Sequence, residues 1–292
     1  MRVLITGAGG QLGRALATAL ATHELVALDH RALDITDVRA VEEALSAARP
    51  DLLINAAAWT HTAGCEREPA RAMLINGEAP GLLAAACRRS GAAMLQISSN
   101  EVFEGDKGTP YDEDDLPAPV NEYGRSKLEG ERRVREALDR HYIVRTSWLY
   151  GPGRVSFPEK ILALAQEGGF LRLVTDEIAS PTWTIDLAGA IARLIEREEW
   201  GTYHLTNSGA CSRREFAEEV LRLAGMVVEV VSVGQAEFGA PYRKPVNSTL
   251  SNRRAAALGI AMRPWREALA DHLQLIGRRA NPVSSSGSPA QT

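Results

Sequence analysis

An α/β fold is predicted, a doubly wound parallel sheet followed by a smaller α/β domain. Three observations predict it. Short, continuously apolar runs alternate with helix-period segments over the first half of the chain, and strands apolar on both faces belong to parallel sheets covered by helices. A glycine-rich turn joins the first strand to the first helix. Beyond residue 148 the alternation becomes irregular, as expected where a second unit begins.

The elements follow in order. "RVLIT" (2–6), "ELVAL" (24–28), "DLLIN" (51–55), "AAMLQIS" (92–98) and "YIVRT" (142–146) are apolar and bounded by turn or polar residues, so they read as buried strands. Between them, "QLGRALATAL", "VRAVEEAL", "ARAMLINGEAPGLLAAACRR" and "YGRSKLEGERRVREAL" carry the helical period. Later, helix-like "FPEKILALAQ", "DLAGAIARLIE" and "RREFAEEVLRLAG" are interleaved with strand-like "TYHLT" and "VVEVVSV". The expected division is 1–147 and 148–280, with part of the second half returning to the main sheet. The tail "NPVSSSGSPAQT" (281–292) is small, polar and proline-bearing, and is expected to be disordered.

With 292 residues, 45% of them hydrophobic, the chain can bury a large core. A net charge of -4 gives no basic surface for nucleic acid. No apolar run approaches the roughly 20 residues of a membrane span, and no signal-peptide pattern precedes the first strand. Cys65, Cys87 and Cys211 are an odd count without CxxC spacing, which points to neither a disulfide framework nor a metal site. A reduced, cytoplasmic protein is expected. Pairing into a homodimer stays open.

"ITGAGGQLGRAL" places Gly7, Gly10 and Gly13 between a strand and a helix. Gly7 allows the tight turn, Gly10 lets backbone approach a pyrophosphate, and Gly13 permits close helix–strand packing. Gln11 and Leu12 open the helix, whose free N–H groups and positive dipole end suit phosphates. Asp29, at the end of the second strand, can accept from a ribose hydroxyl. Strand, helix and acid together are the fingerprint of a Rossmann-type dinucleotide site. Asp29 favours NADH, whereas Arg31 could meet the 2′-phosphate of NADPH. The choice between the two cofactors stays open.

"NEYGRSKLEGE" (121–131) puts Tyr123 and Lys127 one helical turn apart on the same face. A free phenol, with a pKa of about 10, is a poor acid–base group at neutral pH. An ammonium beside it favours the phenolate and is expected to lower that value.

The motifs TGxxGxxG, "LDITD" (33–37), "INAAAWT" (54–60), "ISSNEVFEG" (97–105), "PYDEDDLPAPVNEYGRSKLEGE" (110–131), "VRTSWLYG" (144–151), "SPT" (180–182) and "PVNSTL" (245–250) occur in that order. Together they resemble the dTDP-4-dehydrorhamnose reductase family of the extended short-chain dehydrogenases/reductases, over nearly the whole chain to about residue 277. The resemblance implies NAD(P)H-dependent reduction of the C4 ketone of a dTDP-linked 4-keto-6-deoxyhexose, with the second domain holding the sugar nucleotide. It also implies that Tyr123 is the proton donor, Lys127 its partner and a contact of the nicotinamide ribose, and Ser99 the third hydroxyl. Asn55, Ala56 and Ala57 would line the cofactor, and Asp34 and Ile35 its adenine. Asn100, Glu101, Trp148 and Asn247 would stand on the sugar side, with Ser248 in the same motif. Glu113, Asp114 and Asp115 read as a solvated acidic loop.

The chain departs from the family around the sugar. Where the family reads Ser-Thr-Asp-Tyr-Val-Phe, this chain has "SSNEVF" (98–103). Ser99 keeps a hydroxyl, Asn100 loses a charge, and Glu101 exchanges an aromatic wall for an acid. Spaced two residues from Ser99, Glu101 is expected to face the same side in an extended segment. Ala63 and Cys65 replace an aspartate and an alanine. A regulatory subunit of the methionine adenosyltransferase type and a nucleotide-sugar epimerase share the fold and many of these motifs, and are the competing readings.

Overall fold

The five apolar runs of the first half form strands, and a sixth joins them from the second half. The computed structural model describes residues 1–239 and 241–278. From the N-terminus, β1 (Arg2–Thr6), α1 (Gln11–Ala19), β2 (Glu24–Leu28), α2 (Val38–Ala48) and β3 (Leu52–Asn55) alternate. Then α3 (Thr62–Arg67), α4 (Pro69–Ala72), a π-helical turn (Met73–Glu78) and α5 (Ala79–Ser90) lead to β4 (Ala93–Ser99). A 3₁₀ turn (Asn100–Val102) follows directly, and after an irregular stretch come α6 (Glu122–Ala137) and β5 (His141–Thr146). The second half holds β6 (Leu149–Tyr150), α7 (Phe157–Glu167), β7 (Phe170–Val174), β8 (Ile178–Ala179), β9 (Thr182–Trp183), α8 (Thr184–Leu194) and β10 (Gly201–His204). It continues with β11 (Cys211–Ser212), α9 (Arg213–Leu223), β12 (Glu229–Val233), α10 (Gln235–Phe238), α11 (Arg253–Ala257) and α12 (Trp265–Leu275). The tail 281–292 lies outside the described residues.

The main sheet has six strands in the order β10-β5-β4-β3-β1-β2, all paired in parallel. Alternation along β1 sends Val3 and Ile5 to one face and Leu4 to the other. Val3 and Ile5 pack with Leu16 of α1 and Leu187 and Ile191 of α8. Leu4 packs with Val41 of α2, Leu83 of α5 and Val134 of α6. Both faces are therefore covered, which is why these strands carry no polar alternation. β10 runs beside β5, with Tyr203 opposite Val144, so the chain returns to the sheet after leaving it. A separate cluster centres on Phe216 and Trp265, with Ile161 and Leu162 of α7 and Leu269 of α12 around them.

Two sequence expectations need correction. The long helix expected across 70–89 is broken by the π-helical turn. Its wider turn carries the buried Asn76 amide to the backbone N–H (2.8 Å) and C=O (2.9 Å) of Trp59 and to Ser126 Oγ (3.2 Å). The acidic loop is not simply solvated. Glu113 is buried and accepts from the backbone N–H groups of His204 (3.2 Å) and Arg254 (3.1 Å). Asp114 pairs with Arg253 and Arg254, and Asp115 with Lys107. The cations for Asp114 come from α11, far along the chain, and no local pattern could announce them.

Beneath α6 lies a buried ion pair. Glu131 accepts from Arg145 at 2.7 and 2.9 Å, from Ser98 Oγ at 2.5 Å and from Arg135 at 2.7 Å. Its carboxylate is fully used, which is what makes burial of the charge tolerable. Glu131→Ala, which strands the Arg145 guanidinium, should lower the unfolding free energy by about 3–5 kcal/mol in urea denaturation. A loss under about 1 kcal/mol would mean that the pair is solvated.

Candidate active site

A cleft of about 660 Å³ follows the carboxyl ends of the central strands, the place where open α/β sheets bind ligands. Its floor is the glycine turn. Gly7 has φ +69°, and a Cβ there would lie 2.6 Å from the Ala57 nitrogen. A Cβ on Gly13 would lie 2.3 Å from the Gly7 carbonyl oxygen. Backbone meets backbone at both points, so neither position has room for a side chain. Gly10 caps α1 without a side chain, leaving the first N–H groups directed at the cleft. Gln11 Nε2 donates to the carbonyls of Gly151 (2.8 Å) and Arg154 (2.9 Å), tying this turn to the loop after β6. Leu12 and Ala56 line the cleft beside it.

Asp29 stands against the turn, its Cβ 3.3 Å from where a Gly9 side chain would begin. Its Oδ1 accepts the N–H groups of Arg31 (2.9 Å) and Ala32 (3.1 Å). These bonds hold the carboxyl below the usual carboxylate range. Arg31 is exposed and pairs with no carboxylate among the described residues. Three expected cofactor contacts act differently. Asp34 Oδ1 is taken up by Thr36 (2.9 and 2.7 Å), and the Ile35 side chain is packed in the core with Leu33 and Val41. Asn55 is sealed behind the cleft, where its amide bridges Thr6 Oγ1 (2.6 Å) and Gln96 Oε1 (2.8 Å). It locks the ends of β1 and β3 to the middle of β4 rather than facing a ligand.

Ser99 ends β4 across the cleft, and α6 brings Tyr123 and Lys127 to the same wall. Asn121 starts α6 by accepting the Gly124 N–H at 2.8 Å. The Tyr123 phenol has the Ser99 hydroxyl as its hydrogen-bonding neighbour, yet its pKa moves up, not down as expected. Burial is the main cause, the Glu101 carboxylate the second, and the Ser99 bond offsets only part of them. Lys127 is not among the groups that shift the phenol, and its ammonium donates to the Ile97 carbonyl at 2.7 Å. Burial pushes Lys127 itself down to about 8.

The sugar-side expectations divide. Asn100 donates to Ser248 Oγ at 2.6 Å and joins the end of β4 to the 245–250 stretch. Glu101 lines the cleft, although the extended-segment reasoning fails. Residues 100–102 form a 3₁₀ turn capped by Ser99 Oγ, which accepts the Glu101 N–H at 3.1 Å. Trp148 also lines the cleft, with φ +43° and the Arg213 guanidinium carbon 3.5 Å from its ring centre. Asn247 does not line it. Its Oδ1 is turned onto Thr249 N–H (3.1 Å) and Oγ1 (2.7 Å), capping its own loop.

The sequence reading missed a charged cluster on this wall. Glu177 is held by Arg213 at 2.9 Å and Lys244 at 3.2 Å, and all three line the cleft with Tyr242. Lys244 immediately precedes "PVNSTL", so that motif offered a local signal. Nothing local pairs Glu177 with Arg213, 36 residues later.

A glycine turn facing a Ser–Tyr–Lys set across one cleft, on a doubly wound parallel sheet, defines a dinucleotide-dependent oxidoreductase of the short-chain dehydrogenase/reductase class. The chain belongs, within that class, to the family described as RmlD substrate binding domain, whose model matches residues 1–277. It is 42% identical to the spore coat polysaccharide biosynthesis protein SpsK of Bacillus subtilis, covering 94% of this chain and 97% of that protein. It is 41% identical to the dTDP-4-dehydrorhamnose reductase of Streptomyces griseus, covering 97% and 96%. Its fold matches the crystal structure of dTDP-4-dehydrorhamnose reductase from Bacillus anthracis in complex with NADP, with a TM-score of 0.91, 38% identity and coverage of 94% and 99%.

The buried lysine gives a pH test. Its folded value, about 8, lies below the ordinary 10.5. The charged form therefore costs stability below about pH 8, and the cost vanishes once the unfolded chain also loses the proton, above 10.5. The stability of Lys127→Met relative to wild type should fall by about 3 kcal/mol between neutral pH and that upper limit. Urea denaturation at both ends measures it, and an unchanged difference would mean that the ammonium is solvated.

Proposed function

We propose that this chain reduces the C4 ketone of a dTDP-linked 4-keto-6-deoxyhexose with NADPH or NADH. The observation that carries the reading is the meeting of Ser99, Tyr123 and Lys127 opposite the Gly10–Gly13 turn in one cleft, in a chain of this family. When bound, the cofactor supplies the hydride. Gly10, Gln11, Leu12 and Gly13 would hold its pyrophosphate with Ala56 beside it, Asp29 would take the adenosine ribose and Arg31 the 2′-phosphate.

Tyr123 gives its proton to the ketone oxygen as negative charge develops there, and Ser99 donates to the same oxygen. The upward shift keeps the proton on Tyr123 before substrate arrives but makes the phenol a weaker acid than a free one. Lys127, freed from the Ile97 carbonyl or sharing it, serves the nicotinamide ribose. Glu101 and Trp148, which line the cleft, face the sugar, with Arg213 stacked on Trp148. In this reading residues 1–147 carry the cofactor and 148–280 mainly the sugar nucleotide. Three free, buried cysteines fit a cytoplasmic setting, and among the described residues no helix is long and apolar enough to cross a membrane.

The deciding experiment is NADPH oxidation dependent on an added dTDP-4-keto-6-deoxyhexose. An epimerase or a regulatory subunit would give no net oxidation. Tyr123→Phe should fold and bind cofactor but lose roughly 10²- to 10⁴-fold in turnover, and turnover within threefold of wild type would remove the phenol from the chemistry.

Arg31→Ala tests the cofactor end. It should weaken NADPH binding by roughly 1–3 kcal/mol and leave NADH nearly untouched. Equal losses for both, read from dissociation constants, would place Arg31 away from the 2′-phosphate.

A further inference from the structure

One charge in the cleft is left without a role by the Ser99–Tyr123–Lys127 set. Glu101 stands on the cleft wall among those residues, and its Oε2 accepts a single hydrogen bond, from Asn121 Nδ2 at 2.7 Å. Its Oε1 meets no donor among the described residues and is not one of the sealed side-chain oxygens, so it opens to the cleft. The nearest cations, Lys244 and Arg213, are already shared with Glu177. Burial therefore prevails over their attraction and holds the carboxyl above its ordinary range. A carboxylate taken out of water with one acceptor unused is poorly compensated until something donates to it.

The turn fixes where that donor must be. The Glu101 N–H is bonded to Ser99 Oγ, and a Cβ on Gly124, next to Tyr123, would lie 2.1 Å from the Glu101 carbonyl oxygen. The residue is thus clasped between the Ser99 hydroxyl and the first turn of α6, the turn that carries Tyr123. A ketone oxygen held there brings the substituents of the adjacent ring carbons to the neighbouring wall. In a 4-keto-6-deoxyhexose one of those carbons, C5, carries a methyl group, and only C3 carries a hydroxyl.

We propose that Glu101 is a specificity-determining residue whose free Oε1 accepts the C3 hydroxyl of the sugar, so that the site selects substrates keeping that hydroxyl. The inference rests on the reductase reading above. A site built to bond a hydroxyl rejects the analogue lacking it far more strongly than an apolar wall does, because its own buried polar group is left unpaired.

Calorimetric titration of the NADP⁺-saturated protein with dTDP, dTDP-rhamnose and 3-deoxy-dTDP-rhamnose tests this. Wild type should bind dTDP-rhamnose roughly 10- to 100-fold tighter than the 3-deoxy analogue. Glu101→Ala should bind the two sugars alike, with dTDP itself unchanged. Should the alanine variant fail to fold, Glu101→Met keeps the length of the side chain without a carboxyl oxygen and should lose most of the discrimination. Equal binding of both sugars by wild type overturns the proposal, as does full discrimination surviving in a variant that still binds dTDP. If wild type binds no dTDP sugar at all, the reductase reading falls, and this inference with it.

Discussion

The cleft depends on how closely three backbones approach at the end of β1. Gly7 leaves no room for a side chain against Ala56 and Ala57, and Gly13 leaves none against Gly7. That contact brings the N-terminus of α1 to the centre of the sheet and aims its free N–H groups along the cleft. The polar ladder of Thr6, Asn55 and Gln96 ties the ends of β1 and β3 to the middle of β4 behind it. Move α1 outward by the width of a methyl group and the phosphate end of the cleft no longer faces the wall carrying Ser99.

The opposite wall is set by α6, whose face shows three depths. Tyr123 lies in the cleft, Lys127 reaches the Ile97 carbonyl at the sheet end, and Glu131 is buried on Arg145. Spacing by four residues places all three on one stripe. The deepest member anchors the helix through a charge that is fully satisfied, the shallowest has a phenol that burial keeps protonated, and the lysine between them holds its proton less tightly because of burial. An anchored base and a frayed mouth would defeat a proton donor, so Asn121 caps the first turn as well.

Much of this was legible in the sequence because it is local. Apolar runs of strand length, glycines at turn spacing, and Tyr123 and Lys127 one turn apart announce themselves within a few residues. What was illegible depends on distant partners. Asn55 looked like a ligand contact because it follows a strand, but Thr6 and Gln96 take up its amide. Asn247 looked like a sugar contact, but Thr249 captures it. The Tyr123 shift runs against the sequence expectation because a helical wheel shows Lys127 as a neighbour but shows neither the depth of burial nor Glu101 arriving from a different element. Glu177, Arg213 and Lys244 converge only when three segments of the second half fold together.

The π-helical turn adds one residue beyond what an α-helix needs to cover the same rise, so it is an insertion held in place by its own hydrogen bonds. Removing a residue from 73–78 would not simply shorten a loop. It would rotate everything upstream by about 100° relative to α5 and swing Asn76 away from Trp59 and Ser126. Because Ser126 sits between Tyr123 and Lys127, that amide works as a spacer bar fixing the distance between the α3–α4 side of the cleft and the helix bearing the proton donor. Length changes in this chain are therefore tolerable at its loop tips and ruinous in a segment that, by appearance, is ordinary helix.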